Sequence, residues 1–135
     1  MRLRPHKIVI VDDDIASRLA LRAALEQLGF DVLQADSGVR VLAMLLLEEP
    51  DVVIFNARMR LLDTFEVCRV LRESTQLTRT RVIFTGDNPT PDELRQTMEV
   101  GADGFFPRPL DLRALTAHLH LILGTPPRPA IGAAA

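Results

Sequence analysis

Five short runs of β-branched and aromatic residues punctuate this chain, at 7–11, 30–35, 51–56, 81–85 and 104–106. Each is followed by a longer segment with the apolar spacing of a helix. Strands separated by whole helices cannot pair as hairpins; they pair in parallel through right-handed crossovers. In the third run, residues 52–55 are apolar at four successive positions, the pattern of a strand covered on both faces. The expectation is one α/β domain: a doubly wound, five-stranded parallel sheet inside two helical layers. A chain of 135 residues holds one such core.

The helices carry their own punctuation. Asp14 is placed to cap a helix over 15–28, and Gly29 to stop it. Ser37 is the expected cap of a helix over about 39–47, ended by Pro50. A third helix is expected over 64–73. The fourth opens on Thr90, Pro91, Asp92 and Glu93, a capping box with proline at N1, and stops at Gly101. Asp111 caps the last, which reaches about Leu123. Residues 1–6 form an N-terminal arm, residues 7–123 the domain, and the Pro/Ala/Gly-rich stretch 124–135 a disordered tail or linker.

Several function classes are disfavoured. With 16 basic and 18 acidic residues, the chain offers no electrostatic reason to bind nucleic acid directly. The longest apolar stretch, 41–47, is far short of the ~20 residues that span a bilayer. The opening MRLRPHKIVIVDDD does not read as a signal peptide, because its apolar run ends in three aspartates. A soluble, cytoplasmic protein is expected, with no membrane role. The single cysteine, Cys68, allows no internal disulfide and lies in a helical pattern as a buried thiol. His118 and His120, two apart on a helix, point to different faces and form no metal pair.

In a parallel sheet, ligands and chemistry sit beyond the carboxyl ends of the strands. Reading those ends off gives Asp12 and Asp13, then Asn56, then Thr85, then Arg108. An acidic pair with a hydroxyl and a cation suits a divalent metal and a phosphoryl group. Arg58 and Arg60 read either as contacts for an anion or as a solvated loop. No Ser, Cys or His stands at a strand end with a base beside it, so an independent enzyme is not expected.

From residue 7 to residue 123 the chain resembles the receiver domains of response regulators in bacterial two-component and phosphorelay signalling. VIVDDD resembles the family's acidic motif, with Asp12 and Asp13 at the metal positions. DVVIFN matches the strand that ends on the phospho-accepting aspartate. VIFTG puts Thr85 at the hydroxyl position that contacts the phosphoryl group. GADGFFPRP resembles the segment in which a lysine precedes a proline, usually through a cis peptide, here Arg108–Pro109. The resemblance implies a flavodoxin-like (CheY-like) sheet of order 2-1-3-4-5. It also implies protein partners (a kinase, an output domain or another signalling protein) at the surface of the fourth helix, fifth strand and fifth helix, where a homodimer could also form.

The departures define the expectation further. The acceptor position holds Asn56 and the lysine position Arg108, while the proline and glycine usual after the acceptor are replaced by Arg60 and Thr64. The aromatic switch position is Phe105. A carboxamide is no anionic nucleophile, so Asn56 is not expected to accept a phosphoryl group. With one carboxylate fewer, Mg²⁺ is expected to bind weakly, and no cofactor is required. Arg108 has a planar fork that can pair with Asp12 or Asp13. These residues imply a degenerate receiver, a docking module insensitive to phosphorylation, with Phe105 turned inward. Two alternatives stand beside it: a sensor of a small molecule or anion in the vestigial pocket, and a conventional Mg²⁺-dependent receiver carrying a blocking substitution.

Overall fold

The computed structural model describes residues 4–36 and 40–124. Its elements, in chain order, are β1 (Lys7–Val11), α1 (Ile15–Gln27), β2 (Asp31–Ala35), α2 (Val41–Glu48) and β3 (Val52–Asn56). Then follow α3 (Thr64–Glu73), β4 (Arg81–Gly86), α4 (Pro91–Glu99), β5 (Gly104–Pro107) and α5 (Leu112–Leu123). All strand pairings are parallel, and the order is β2-β1-β3-β4-β5. This is the flavodoxin-like arrangement implied by the sequence. The expected Ser37 cap and the tail from residue 125 lie outside the described residues.

Strand alternation divides the core in two. Ile8, Ile10, Val52, Ile54 and Ile83 face α1 and α5, meeting Leu21, Leu25, Leu115 and Leu119. Val9, Val11, Val53, Phe55, Val82 and Phe84 face α2, α3 and α4, meeting Leu45, Val67, Leu71 and Val100. Phe55 and Phe84 are wholly buried and stack with centroids 5.6 Å apart; burying each ring contributes ~2–3 kcal/mol. Every residue of β3 and β4 is buried, as their unbroken apolar runs require.

The capping residues act as their chemistry dictates. Asp14, Asp63, Thr90 and Asp111 each accept a backbone N–H from the first turn of α1, α3, α4 and α5. Gly29 follows α1 with φ +94°, a conformation that suits glycine. Among the described residues, two other than glycine also have positive φ, Glu49 and Asn88. Each precedes a proline, whose ring disfavours the right-handed helical region for its neighbour. That accounts for the end of α2 one residue before Pro50, though not for the left-handed turn Glu49 adopts there.

A buried charge network ties the far end of the sheet together. Asp103 pairs with Arg81 at 2.9 Å and Arg72 at 3.2 Å, and accepts the Val82 N–H at 2.9 Å. Arg72 also donates to the Gly101 carbonyl, through Nε at 3.1 Å and Nη2 at 2.9 Å.

Candidate functional site

The crossovers bring Asp12, Asn56, Thr85 and Arg108 to one edge, because β1, β3, β4 and β5 are successive neighbours in the sheet. Asn56 lies in register with Thr85. Beneath them, Arg18 reaches back from α1 to the Asp12 carbonyl at 2.8 Å and to Gln34 at 3.0 Å. Thr64 Oγ1, buried at the start of α3, donates to the Asn56 carbonyl at 3.1 Å and so fixes the turn after β3.

The side chains form a closed set. Asp12 is 3 % exposed. Its Oδ1 accepts from Asn56 Nδ2 and from the Asp14 N–H, each at 3.0 Å. Its Oδ2 pairs with Arg108 Nη2. The same nitrogen donates to Thr85 Oγ1 at 3.3 Å. Arg108 thus engages through one nitrogen, and the two-pronged pairing its fork allows is not made. The Arg108–Pro109 peptide is cis. Asp13 is exposed and turned elsewhere, accepting the Arg60 N–H at 3.0 Å.

Asn56 uses both ends of its amide. While Nδ2 donates to Asp12, Oδ1 accepts the Arg58 N–H at 3.0 Å. Arg58 then crosses to the β4–α4 loop. Its Nε and Nη2 reach the two Glu93 oxygens at 2.8 and 2.5 Å. Its Nη1 and Nη2 donate to the carbonyls of Asp87 at 2.7 Å and Asn88 at 3.1 Å. Glu93 is also the capping-box acid of α4, accepting the Thr90 N–H at 2.9 Å. The Arg58 hydrogen bond holds the Glu93 carboxyl below its ordinary 4.5, against a desolvation that would raise it. The Glu93 hydrogen bond raises Arg58 in turn. Of the two readings the sequence leaves open for Arg58, neither describes it: the guanidinium is a clamp between two loops.

Phe105 is half-buried and packs against the core on the α2–α3–α4 face. A Cβ built at Gly86 would stand 3.2 Å from the tip of this ring and 3.7 Å from the Ala57 Cβ. Glycine at 86 is what lets the ring lie across the end of β4. That role went unread in the sequence, although the signal, a glycine closing an apolar strand, was present.

The chemistry open to this set is narrow. Mg²⁺ needs hard oxygen donors, several of them charged. Here both Asp12 oxygens already accept from protein groups, one of them a guanidinium, and Asn56 presents its NH₂ to Asp12. Among the described residues no three His, Cys, Asp or Glu side chains are placed to hold a metal. In this arrangement the donors do not fit the ion. Nor does Asn56 offer an anionic oxygen for attack.

A doubly wound sheet with a buried carboxylate, an amide, a hydroxyl and a cation meeting at its carboxyl edge is the frame of a class of signalling domain. Residues 8–120 match the family model of the response regulator receiver domain, and the chain belongs to that family. The Response regulator MprA of Mycobacterium sp. (strain KMS) is 34% identical over 119 residues, covering 88% of this chain and 51% of the relative. The chain thus spans about half the length of the curated relatives it matches. Among solved structures, the chemotaxis response regulator CheY4 of Vibrio cholerae superposes with a TM-score of 0.79 at 25% identity, covering 87% of this chain and 98% of that one. The signal receiver domain of a response regulator from Bermanella marisrubri gives 0.80 at 26% identity, over 89% and 99%. Receiver domains are in general signalling modules without an enzymatic activity of their own, and they work through protein partners.

Proposed function

We propose that this receiver domain acts without aspartyl phosphorylation, as a docking module held in one arrangement by its own side chains. The observation that carries this reading is the closed set Arg108–Asp12–Asn56. In the family pattern a carboxylate at position 56 would face Asp12 and repel it unless a cation stood between them. Here an amide donates to Asp12, and an arginine supplies the cation.

The clamp extends that arrangement to the surface. A phosphorylated receiver of the usual kind draws in the threonine and the switch aromatic, and the loop before α4 follows. In this chain Arg58 already grips that loop and Phe105 already lies over Gly86. The surface of α4, β5 and α5 is therefore preset. It presents Leu94 and Met98, 44% and 58% exposed, to a kinase, an output domain or another signalling protein. A second copy of the chain could meet the same face. Asp12, Asp13, Asn56, Thr85 and Arg108 are on this reading a vestigial phosphorylation pocket, and Phe105 its fixed switch.

The test is incubation with acetyl phosphate and Mg²⁺, followed by intact-mass analysis and peptide mapping. The expected result is no phosphoryl group at residue 56. Asn56→Asp alone should restore labelling poorly, because Arg108 still occupies the Asp12 oxygen a metal would need. Stoichiometric labelling of the unaltered chain at this site would overturn the proposal.

A further inference from the structure

Next to the closed set, α1, the end of β4 and the turn before α5 enclose a cleft of about 500 Å³, within the usual range for small-molecule sites. Ala20, Leu21, Leu110 and Leu112 supply apolar walls, and the charged lining is Asp87, Arg108 and the Asp12 carboxylate already paired with Arg108. Asp87 and Arg108 line the same cleft, and their backbones are tied together where the Arg108 N–H donates to the Gly86 carbonyl at 3.0 Å.

Each of them has capacity left over. Arg108 spends Nη2 on Asp12 and Thr85, and among the described residues Nε and Nη1 have no acceptor. Asp87 gives its backbone carbonyl to Arg58, and its carboxylate, though in the field of that guanidinium, makes no hydrogen bond among the described residues. A simple anion drawn to Arg108 would meet the Asp87 carboxylate beside it. A simple cation drawn to Asp87 would meet the guanidinium. A molecule carrying both charges close together, on an apolar body, satisfies both groups and covers the walls.

We propose that this cleft binds a small zwitterion of the apolar α-amino-acid type. Its carboxylate would sit on Arg108 Nε and Nη1, its ammonium on Asp87, and its side chain against Ala20, Leu21 and Leu112. Ser17 Oγ, which also borders the cleft, donates to Asp14 at 2.8 Å and so keeps a lone pair for the ammonium. The module would then answer a metabolite where its relatives answer a phosphoryl group. This inference goes beyond the docking role and does not depend on it, since phosphoryl labelling is read separately.

The test is a ¹⁵N NMR titration of the full chain with L-leucine and L-phenylalanine. Isocaproate and isoamylamine, each keeping one of leucine's charges, are the controls. The expected result is saturable shifts confined to residues 17–21, 86–88 and 108–112 for at least one amino acid. Each single-charge analogue should bind about tenfold weaker or less tightly still. Asp87→Asn should weaken binding about tenfold. Ala20→Phe, at an exposed helix position that tolerates bulk, should abolish it with an unchanged fold. No saturation at millimolar amino acid, equal binding of either analogue, or shifts centred elsewhere would overturn the proposal.

Discussion

Arg108→Ala removes the cation from the middle of the closed set, and its consequence can be worked from the surroundings of Asp12. The Asp12 side chain is 5% exposed and that of Arg108 17%. Without Arg108 the carboxylate keeps only Asn56 Nδ2 and the Asp14 N–H. Removing one partner of a buried ion pair costs ~3–5 kcal/mol. Arg108 is partly exposed and water can fill part of its place, so the expected cost is ~2–3 kcal/mol. For a domain of this size that lowers Tm by about 6–9 °C. The same change frees an Asp12 oxygen for a metal. If Mg²⁺ then binds with a Kd of ~1 mM, ten times that concentration returns ~1.4 kcal/mol to the variant. The unaltered chain, where Arg108 competes for the oxygen, should gain almost nothing. Thermal melts of both proteins with and without Mg²⁺ measure all four quantities. A variant that melts with the parent, or an equal Mg²⁺ gain in both, would refute the reasoning.

The clamp gives a second expectation. Arg58→Ala should speed amide exchange over residues 86–93, with little change in global stability because Arg58 is exposed. Since Arg58 holds the Glu93 carboxyl below 4.5, its stabilisation is full above that pH and is lost as pH falls through the lowered value. The destabilisation caused by Glu93→Gln, measured as a Tm difference, should therefore shrink steadily on acidification below 4.5. Burial pushes the Cys68 thiol up to about 12, so thiol reagents should modify it only as fast as the domain opens, and addition of denaturant should accelerate the reaction. Asp103→Ala removes the carboxylate that balances buried Arg72 and Arg81 and should cost ~3–5 kcal/mol, read by denaturant melts.

Much of this was legible in the residue order. The alternation of short strand runs with helical spacing determines a parallel sheet, and the sheet order decides which strand ends are neighbours. Asp12, Asn56, Thr85 and Arg108 could thus be grouped before any coordinate was known. The capping residues were equally plain, because a cap acts within one turn of its own helix. What escaped the sequence acts across it. Arg58 meets Glu93 thirty-five residues away through a long, flexible side chain, and nothing in a local pattern selects that partner over solvent. Asp103 finds Arg72 and Arg81 only once β4 and β5 are side by side. The left-handed turns at Glu49 and Asn88 had no local signal, because the proline after each argues against a continuing helix but for extended backbone. The single-nitrogen contact of Arg108 could not have been foreseen, because the geometry of its fork is shared out by Asp12 and Thr85 together.

On the proposed reading, the β4–α4 loop and Phe105 hold one arrangement that needs no phosphoryl group. The most direct test of that reading is backbone NMR over residues 85–106, recorded with and without a phosphoryl mimic such as beryllofluoride in Mg²⁺. The expected result is one set of sharp resonances, with Phe105 half-buried in a single position, and no change on adding the mimic. Exchange broadening across these residues that the mimic quenches would show a working two-state switch, and would contradict it.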